Sequence, residues 1–384
     1  MDIDAIVAQV AAAVGLAEGE AGVRDILAAV LSAEPVPVRE ISRLAELPVP
    51  IVAAACNELR SRGVLERTRP VALTGAGRAA VAAGQPDLDP ACPDCGGRGV
   101  VIPASLDALA ADLERAAAGA PAARMELDQS HCTVATKLSR VLRMHAAHAL
   151  AGQRILLLGD DDLISVAIAG FAAVTGAAVP RLAVVDADPD VLAWIGKQAA
   201  RTPAGVELIE HDLRQPLPAA LAGAFDVVAT DPPYTVAGAE LFLSRAVTAL
   251  VPEPGRHVFF SYGGRRPAET VAVQLAMGRM GLAVRALLPN FNAYAGAGIL
   301  GGTSHLYHLR SVPGAAPLIA GEHDGPLYTA EGQSVPARPY RCAGCAAVHE
   351  VGPGSRWNAI ADLQAAGCPD CGGTVFRPKP RVAR

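Results

Sequence analysis

The chain has 384 residues, of which 51% are hydrophobic and 4% aromatic, and its formal net charge is −5. This length predicts two or three domains, and the negative charge excludes a general electrostatic attraction to nucleic acid. No run of about 20 apolar residues occurs, and the acidic residues 1–4 form no basic leader, so we expect neither a membrane span nor a signal peptide. The eight cysteines fall mostly in Cys-x-x-Cys pairs, which favours metal binding in a reducing cytoplasm over disulfides.

Residues 1–90 predict a winged helix-turn-helix domain. The hydrophobic spacing indicates helices over 3–16, 22–31, 38–47 and 50–61, then short strands over 64–67 and 71–74 and a short helix. Gly63 is expected to end the fourth helix. Residues 50–62 suit DNA binding through nearby arginines. Because Glu58 and Glu66 dilute the basic face, a packing or dimerisation module is the favoured alternative.

Residues 91–150 are predicted to hold a cysteine knuckle and linking helices. Cys92 and Cys95 form half of a zinc site, which needs two further ligands. His131 and Cys132, or a second chain, are candidates, and reduced thiols without metal are equally open. Helices are expected over 106–118 and 136–150. Between them, Asp128 and Gln129 either fold over a binding pocket or cap the second helix.

Residues 151–311 predict a doubly wound α/β domain of the Rossmann-like, class I methyltransferase type. Residues 155–158 indicate a buried parallel strand, Gly159 a turn and residues 165–174 a helix. Ligands bind at the carboxyl ends of such strands, and here three consecutive acids follow, Asp160, Asp161 and Asp162. Since adjacent carboxylates raise one another's pKa unless a cation is present, this turn predicts a positively charged ligand.

Acids also follow the next two predicted strands. Asp186 ends the strand over 181–186, about where nucleoside-binding folds place a carboxylate on ribose. Asp188 is either part of that site or the cap of the next helix. Asp212, with Leu213, follows a strand over 206–210 and is predicted to accept the amino group of adenine, although capping is again the alternative. Together these positions favour a ligand that contains adenosine.

Asp231-Pro232-Pro233-Tyr234, after a strand over 224–230, is the most specific short motif. The prolines fix the backbone, so that Asp231 can orient an amine while the Tyr234 ring faces a cation. Further elements are expected as helices over 240–250 and 271–280 and strands over 255–262, 283–288 and 306–309. A loop before the last strand carries Phe291 and Tyr294, which either wall the pocket or fill the core.

Residues 312–339 are rich in Pro, Gly and Ala and are predicted as a linker. Residues 340–376 then predict a zinc ribbon with four thiolate ligands, Cys342, Cys345, Cys368 and Cys371. A site with four thiolates is closed, so we expect structural rather than catalytic zinc.

The acids select among donors. Three carboxylates would repel the carboxylate of S-adenosylmethionine and attract the aminopropyl ammonium of its decarboxylated form. At 4 Å and an effective dielectric of 20, one charge pair is worth about 4 kcal/mol, enough to choose between the two.

Four segments in this order resemble the branched-chain polyamine synthases, also called N(4)-bis(aminopropyl)spermidine synthases: Leu127-Asp-Gln129, Gly159-Asp-Asp-Asp-Leu163, Asp231-Pro-Pro-Tyr-Thr235 and Asn290-Phe-Asn-x-Tyr294 with Ser304-x-Leu-Tyr307. The resemblance spans about residues 20–330. It implies a winged-helix domain before a Rossmann-like domain, a homodimer, and aminopropyl transfer from decarboxylated S-adenosylmethionine to the secondary amine of spermidine. It also implies that Asp160–Asp162 carry acceptor binding and catalysis. The ribbon and the Pro-rich linker lie outside the family pattern. Family members are best known from thermophiles, and because this Ala- and Gly-rich chain has no dense ion-pair pattern, the acceptor can differ from spermidine.

In the mechanism we expect, Asp161 accepts the proton of the attacking amine while Asp160 and Asp162 anchor flanking ammonium groups. Asp231 orients the nucleophile. Two alternatives remain open: an amine N-methyltransferase that uses intact S-adenosylmethionine, against which the acids argue, and a winged-helix regulator that senses a polyamine or nucleoside.

Overall fold

The computed structural model describes residues 1–82, 92, 95, 97–203, 205–264, 266–295, 302–332, 338–351, 355–357 and 360–378. The chain divides into two compact units, Met1–Gly325 and Pro326–Arg384. The first unit holds an N-terminal helical region and a seven-stranded α/β sheet. The second is a small three-stranded sheet with its own core.

The N-terminal region contains five helices: α1 (Ile3–Val14), α2 (Gly19–Ala33), α3 (Val38–Leu44), α4 (Val49–Ser61) and α5 (Gly75–Val81). Their apolar faces enclose a separate core that includes Val23, Ile41 and Leu59. Gly63, at φ +72°, ends α4 as expected. The two strands predicted over 64–67 and 71–74 do not form a continuous ladder. They are reduced to isolated bridging pairs, Leu65 with Leu73 and Val36 with Val71.

Two connecting helices follow, α6 (Asp107–Ala118) and α7 (Val134–Ala146). The Thr133 hydroxyl accepts the Thr136 backbone N–H, which begins α7 two residues earlier than expected. Among the described helices, no single one is long and apolar enough to cross a membrane. Only α1 and α2 together meet the length and composition, and they are bent by 111° at their break.

The large sheet has the order β3-β2-β1-β4-β5-β7-β6, with all but β7 running parallel. Its strands are β1 (Arg154–Leu158), β2 (Arg181–Asp186), β3 (Glu207–Glu210), β4 (Val227–Thr230), β5 (His257–Tyr262), β6 (Leu282–Ala293) and β7 (Thr303–Ser311). The helices between them are α8 (Ile164–Thr175), α9 (Pro189–Ala199), α10 (Val236–Ala249) and α11 (Pro267–Arg279). The central strands are buried on both faces, as continuous apolar runs require. The α/β prediction is confirmed, and the strand order reverses between β1 and β4, where such sheets bind ligands.

The sequence-based bounds of the last two strands were wrong. Strand β6 continues to Ala293 and therefore contains Asn290 and Phe291, which we had predicted in a loop. Its pairing with β7 shifts between Leu288 and Asn292, and Asn290 has φ +49°. Because this irregularity interrupts the alternation of side chains, the pattern concealed the continuation of the strand.

The predicted linker over 312–339 is also wrong in its first half. Residues up to Gly325 belong to the first unit. The buried Arg245 of α10 donates to the carbonyls of Ile319 (2.9 Å) and Gly321 (2.7 Å), and also to that of Leu213 (2.9 Å). Backbone carbonyls of this segment are thus fixed by a buried guanidinium, and the Glu322 carboxylate adds a hydrogen bond from the Gln215 side chain.

The second unit contains α12 (Thr329–Gly332), β8 (Arg338–Cys342), β9 (Val348–Val351), α13 (Ile360–Ala366) and β10 (Phe376–Pro378). Its strands form an antiparallel sheet in the order β10-β8-β9. Leu363, Phe376 and two cysteines, Cys342 and Cys368, are buried in its small core.

Candidate active site

A pocket of about 420 Å³, including its mouth, opens at the carboxyl ends of β1 and β4. Asp161 and Asp231 line it from those two strand ends, and Arg140 from α7. Phe259, Ser261 and Leu306 contribute from β5 and β7. The site therefore lies where the fold predicts a ligand.

Asp160 caps helix α8. Its Oδ1 accepts the Ile164 N–H (2.6 Å), and its Oδ2 accepts the Ser165 N–H (3.1 Å) and hydroxyl. Burial raises the pKa of Asp160 to about 7, although these hydrogen bonds oppose the shift. Both oxygens of Asp160 thus accept hydrogen bonds from the start of the helix, and its role as an ammonium anchor stays a prediction.

Asp162 belongs to a buried ion pair. Its Oδ2 lies 2.8 Å from Arg140 Nη1, and its Oδ1 accepts the Cys132 N–H at 2.5 Å. Lys137 Nζ donates to the Asp162 carbonyl at 2.6 Å. Burial alone would raise the pKa of Asp162, but Arg140 and Lys137 hold it below its usual range. Asp162 is therefore paired with a protein cation, and its role as an anchor for a substrate ammonium group stays a prediction.

Arg140 is the central residue that the sequence analysis missed. Beyond Asp162, its guanidinium donates to Asp231 Oδ2 (2.8 Å), the Tyr294 hydroxyl (3.0 Å) and Asn292 Oδ1 (2.8 Å). A signal was present: Lys137 and Arg140 lie three residues apart on the otherwise apolar face of α7, and buried cations require carboxylate partners. The positive charges of Lys137 and Arg140 offset part of the negative charge of the acids at positions 160–162, from which we predicted a decarboxylated donor.

Asp231 joins a second hydrogen-bonded group. The Tyr234 hydroxyl lies 3.0 Å from Asp231 Oδ1 and 2.9 Å from the Tyr294 hydroxyl. The Tyr294 hydroxyl lies 2.5 Å from Asp231 Oδ2 and 2.8 Å from Ser304 Oγ. Burial raises the pKa of Asp231 despite Arg140, and burial and Asp231 raise the pKa values of both tyrosines well above 10. The structure thus brings Asp231, Tyr234 and Tyr294 together, and Pro232 is buried beside them.

Asp161 differs from its two neighbours in that, among the described residues, its carboxyl group has neither a cationic partner at ion-pair distance nor a helix to cap. Its Oδ2 accepts the Ser130 N–H at 2.9 Å. Burial, followed by the charges of Asp162, Asp231 and Asp186, raises its pKa well above the usual range. A carboxyl group with a raised pKa in a pocket is suited to accepting a proton near neutral pH.

The remaining predicted acids lie along the ends of β2 and β3. Asp186 accepts the backbone N–H groups of Asp160 (2.9 Å) and Asp188 (2.8 Å), and burial raises its pKa. Asp188 caps α9, as one of our two interpretations expected, and accepts Gln129 Nε2 at 3.0 Å. Gln129 therefore contacts a predicted donor-binding acid, whereas the alternative that Asp128 and Gln129 cap α7 is wrong, because Thr133 caps it.

Farther along this edge, Asp212 accepts the Arg214 N–H at 2.9 Å, and Leu213 is buried. Gly159 turns the chain after β1 at φ +74°. Asp128 is half-buried at φ +54°.

Three residues do not take a binding role that we considered for them. Phe291 is 1% exposed within the core, which is the second of its two expected roles, and it does not wall the pocket. The ring nitrogens of His131 lie 2.8 Å from the carbonyl oxygens of Asp161 and Pro121, and Cys132 is buried beside Lys137. Among the described residues, Cys92 and Cys95 gain no third metal ligand, so His131 and Cys132 do not complete a site with them.

In the second unit, the Sγ atoms of Cys342, Cys345, Cys368 and Cys371 all lie within 4.8 Å of one another. Cys342 and Cys371 are 3.5 Å apart, and Cys345 and Cys368 are 3.6 Å apart. His349 Nε2 lies 3.2 Å from Cys368 Sγ. This arrangement fits a tetrahedral metal ion with four thiolate ligands.

Comparison with known proteins places this geometry in context. The family model described as "Branched-chain polyamine synthase A C-terminal domain" matches residues 109–311. The N(4)-bis(aminopropyl)spermidine synthase of Thermococcus kodakarensis is 31% identical over 68% of this chain and 74% of its own length. An uncharacterised protein of Methanocaldococcus jannaschii is 34% identical over 94% of this chain and 89% of its own, so that match includes most of the second unit.

A solved structure from the same family is also similar to this chain. The branched-chain polyamine synthase of Thermus thermophilus, in complex with N4-aminopropylspermidine and 5'-methylthioadenosine, superposes with a TM-score of 0.67 at 28% identity. The match covers 85% of this chain and 97% of that one.

Proposed function

Because the chain belongs to the branched-chain polyamine synthase family, we propose that it transfers aminopropyl groups from decarboxylated S-adenosylmethionine to a secondary amine of a polyamine such as spermidine. The products are 5'-methylthioadenosine and a branched polyamine. The observation that carries this proposal is the Asp161 carboxyl group, with its raised pKa, in the pocket beside Asp231. The ligands of the Thermus thermophilus synthase, an aminopropylated spermidine and 5'-methylthioadenosine, support the same reaction.

The donor is proposed to lie along the ends of β1, β2 and β3, with its adenosine held by Gly159, Asp186, Asp188, Asp212 and Leu213. Asp186 accepts the backbone N–H groups of Asp160 and Asp188, and Asp188 accepts those at the start of α9. These contacts fix both carboxylates, and each carboxylate has further acceptor positions for the ribose hydroxyls. Asp161 and Asp186 lie close enough to raise the pKa of Asp161. A donor carboxylate would add to this negative charge, which favours the decarboxylated donor although Arg140 and Lys137 reduce the margin.

In the transfer step, the secondary amine nitrogen attacks the propyl carbon bonded to sulfur. The carbon–sulfur bond breaks with its electron pair remaining on sulfur, and the proton of the amine passes to Asp161. Asp231 orients the amine, with Arg140 and the hydroxyls of Tyr234 and Tyr294 fixing its carboxylate.

The domain organisation follows as a proposal. Residues 1–90 are assigned as a winged-helix domain that packs or dimerises, residues 91–150 as the knuckle and linking helices, and residues 151–325 as the transferase domain. The acting form is proposed to be a homodimer. On the cysteine pattern alone, we propose a cytoplasmic location.

The second unit is proposed to be a zinc ribbon over 340–376. Its four thiolates fit zinc, which would supply folding energy to a core too small to be stable alone. His349 would donate to the Cys368 thiolate from outside the ligand set.

A product assay tests the reaction. The protein is incubated with spermidine and either decarboxylated or intact S-adenosylmethionine, and the polyamines are analysed by mass spectrometry. We expect one or two added aminopropyl groups with the decarboxylated donor and no change with the intact one. Addition of a methyl group from intact S-adenosylmethionine would instead support an amine N-methyltransferase and overturn the proposal.

A further inference from the structure

The short segment that precedes α7 lies against the acidic turn that follows β1. The Ser130 N–H donates to Asp161 Oδ2 at 2.9 Å, and the Cys132 N–H donates to Asp162 Oδ1 at 2.5 Å. Between these two contacts, the side chain of His131 reaches the backbone of the same turn. The proposed proton acceptor, Asp161, is therefore held by this segment through both its carboxyl group and its backbone.

The His131 ring lies between two carbonyl oxygens. Its Nδ1 is 2.8 Å from the carbonyl oxygen of Asp161, and its Nε2 is 2.8 Å from that of Pro121, in the segment after α6. Both distances are those of N–H···O hydrogen bonds. A carbonyl oxygen only accepts, so the two bonds require a hydrogen on each ring nitrogen, and the neutral ring has only one. The geometry is therefore that of the doubly protonated, cationic ring.

The backbone of His131 is fixed independently of its ring. The His131 carbonyl accepts the Ala295 N–H at 2.8 Å, and the Thr133 N–H donates to the Ala293 carbonyl at 2.8 Å. The segment thus pairs with the end of β6, whatever the charge of the ring. His131 does not line the active-site pocket. A change at the ring should therefore move Asp161 without removing a contact to the substrate.

The charges around the ring favour a cation. The ionisable groups on the segments that contact His131 are Asp160, Asp161 and Asp162 on the turn, Arg124, Glu126 and Asp128 on the segment of Pro121, and Tyr294 on β6. Asp162 is paired with Arg140, and Glu126 with Arg124. Among the described residues, none of these groups lies at ion-pair distance from the ring itself. A protonated ring bonded to the Asp161 backbone favours the carboxylate form of that residue.

We propose that His131 is a positioning residue for Asp161: its doubly protonated ring ties the acidic turn to the segment after α6 and holds the Asp161 carboxyl group where it accepts the proton of the attacking amine. The inference rests on the proposed function for the role of Asp161. It adds a group that must keep its proton to one that must lose it, so aminopropyl transfer has an optimum in pH instead of a rising limb alone.

The kinetic test compares the full-length chain with its variant His131→Gln, which keeps an N–H donor and cannot become a cation. His145→Gln, at an exposed position in the last turn of α7, is the matched control. Because Asp161 is displaced, we expect kcat to fall about 10- to 100-fold in His131→Gln. Since no substrate contact is removed, kcat/KM should fall with it. In the wild type and the control, kcat should rise and then fall with pH, and His131→Gln should lack the falling limb.

NMR spectroscopy of the histidine ring nitrogens measures the charge of the ring in the wild type, so this result does not depend on the folding of a variant. At neutral pH, both ring nitrogens of His131 should carry a hydrogen. A nitrogen without hydrogen at that pH, or a His131→Gln profile that keeps the falling limb, overturns the inference. Absence of turnover by the wild type with either donor would overturn the proposed function, whereas the NMR measurement would still decide whether the ring is doubly protonated.

Discussion

The active site and the C-terminal cysteine cluster both gather ionisable side chains, but they balance charge in different ways. In the active site, Arg140 pairs with Asp162 and Asp231, so much of the negative charge is compensated within the protein. In the cysteine cluster, four sulfur atoms lie within 4.8 Å of one another, and among the described residues only His349 has a ring nitrogen near them. In the proposed reaction, the first arrangement leaves the Asp161 carboxyl group for chemistry, whereas the second fits an external cation.

The largest expected effect is that of Asp161→Asn. Losing the proton acceptor should lower kcat by about 10²- to 10⁴-fold while the fold remains intact. Because the pKa of Asp161 is raised well above its usual value of about 4, the rate of the wild type should rise with pH well above that value as Asp161 loses its proton. The variant should lack this rising limb.

Steady-state kinetics of both proteins across pH provide the measurement. Asp190→Asn, at an exposed position in α9, is the control and should retain wild-type kcat. Wild-type turnover by Asp161→Asn would remove Asp161 from the mechanism.

Arg140→Met tests whether the active site depends on its internal cation. The change leaves the buried Asp162 and Asp231 unpaired, so the free energy of unfolding should fall by about 3–5 kcal/mol, and transfer should be lost. Chemical denaturation gives the value. Arg115→Met, at an exposed position on α6, should change the stability by less than about 0.5 kcal/mol. If both substitutions changed the free energy of unfolding by the same small amount, Arg140 would not be compensating the charges of Asp162 and Asp231.

Asp160→Asn separates a helix cap from a substrate ligand. The folded-state pKa of Asp160 is about 7, above its unfolded value of about 4. Its contribution is therefore fully present below about pH 4 and is lost as the pH rises through 7, at up to about 1.4 kcal/mol per pH unit. The stability of the wild type relative to the variant should fall between about pH 4 and about pH 7 in urea denaturation. A pH-independent difference would contradict the raised pKa.

Cys371→Ser should have the smallest effect on catalysis. We expect zinc content to fall from about one ion per chain to near zero while kcat changes by less than about twofold. Elemental analysis alongside the transfer assay measures both. Loss of turnover in step with zinc would contradict a purely structural role for the cluster.

The contrast also explains which parts of the site were predictable from sequence. The cysteine ligands lie within 30 residues and have a characteristic spacing, and the strand-end acids Asp186 and Asp231 follow apolar runs. Arg140 meets Asp231 across 91 residues and Asn292 across 152, and no local pattern encodes such contacts. Phe291 was misassigned because a β-bulge disrupted the alternation of its strand.

The acids after β1 show a further limit. The sequence shows three equal charges at positions 160–162. All three line the pocket, and their contacts differ only in three dimensions, where Asp160 caps a helix, Asp162 pairs with arginine and Asp161 accepts a single backbone N–H.

The anchoring of residues 319–321 by Arg245 has a practical consequence for anyone preparing a shortened enzyme. A truncation after residue 311, where the family match ends, would delete two of the carbonyls that receive this 1%-exposed guanidinium. An uncompensated buried charge costs several kcal/mol, so such a fragment should misfold or aggregate during expression. A stop codon after residue 325 preserves every acceptor of Arg245.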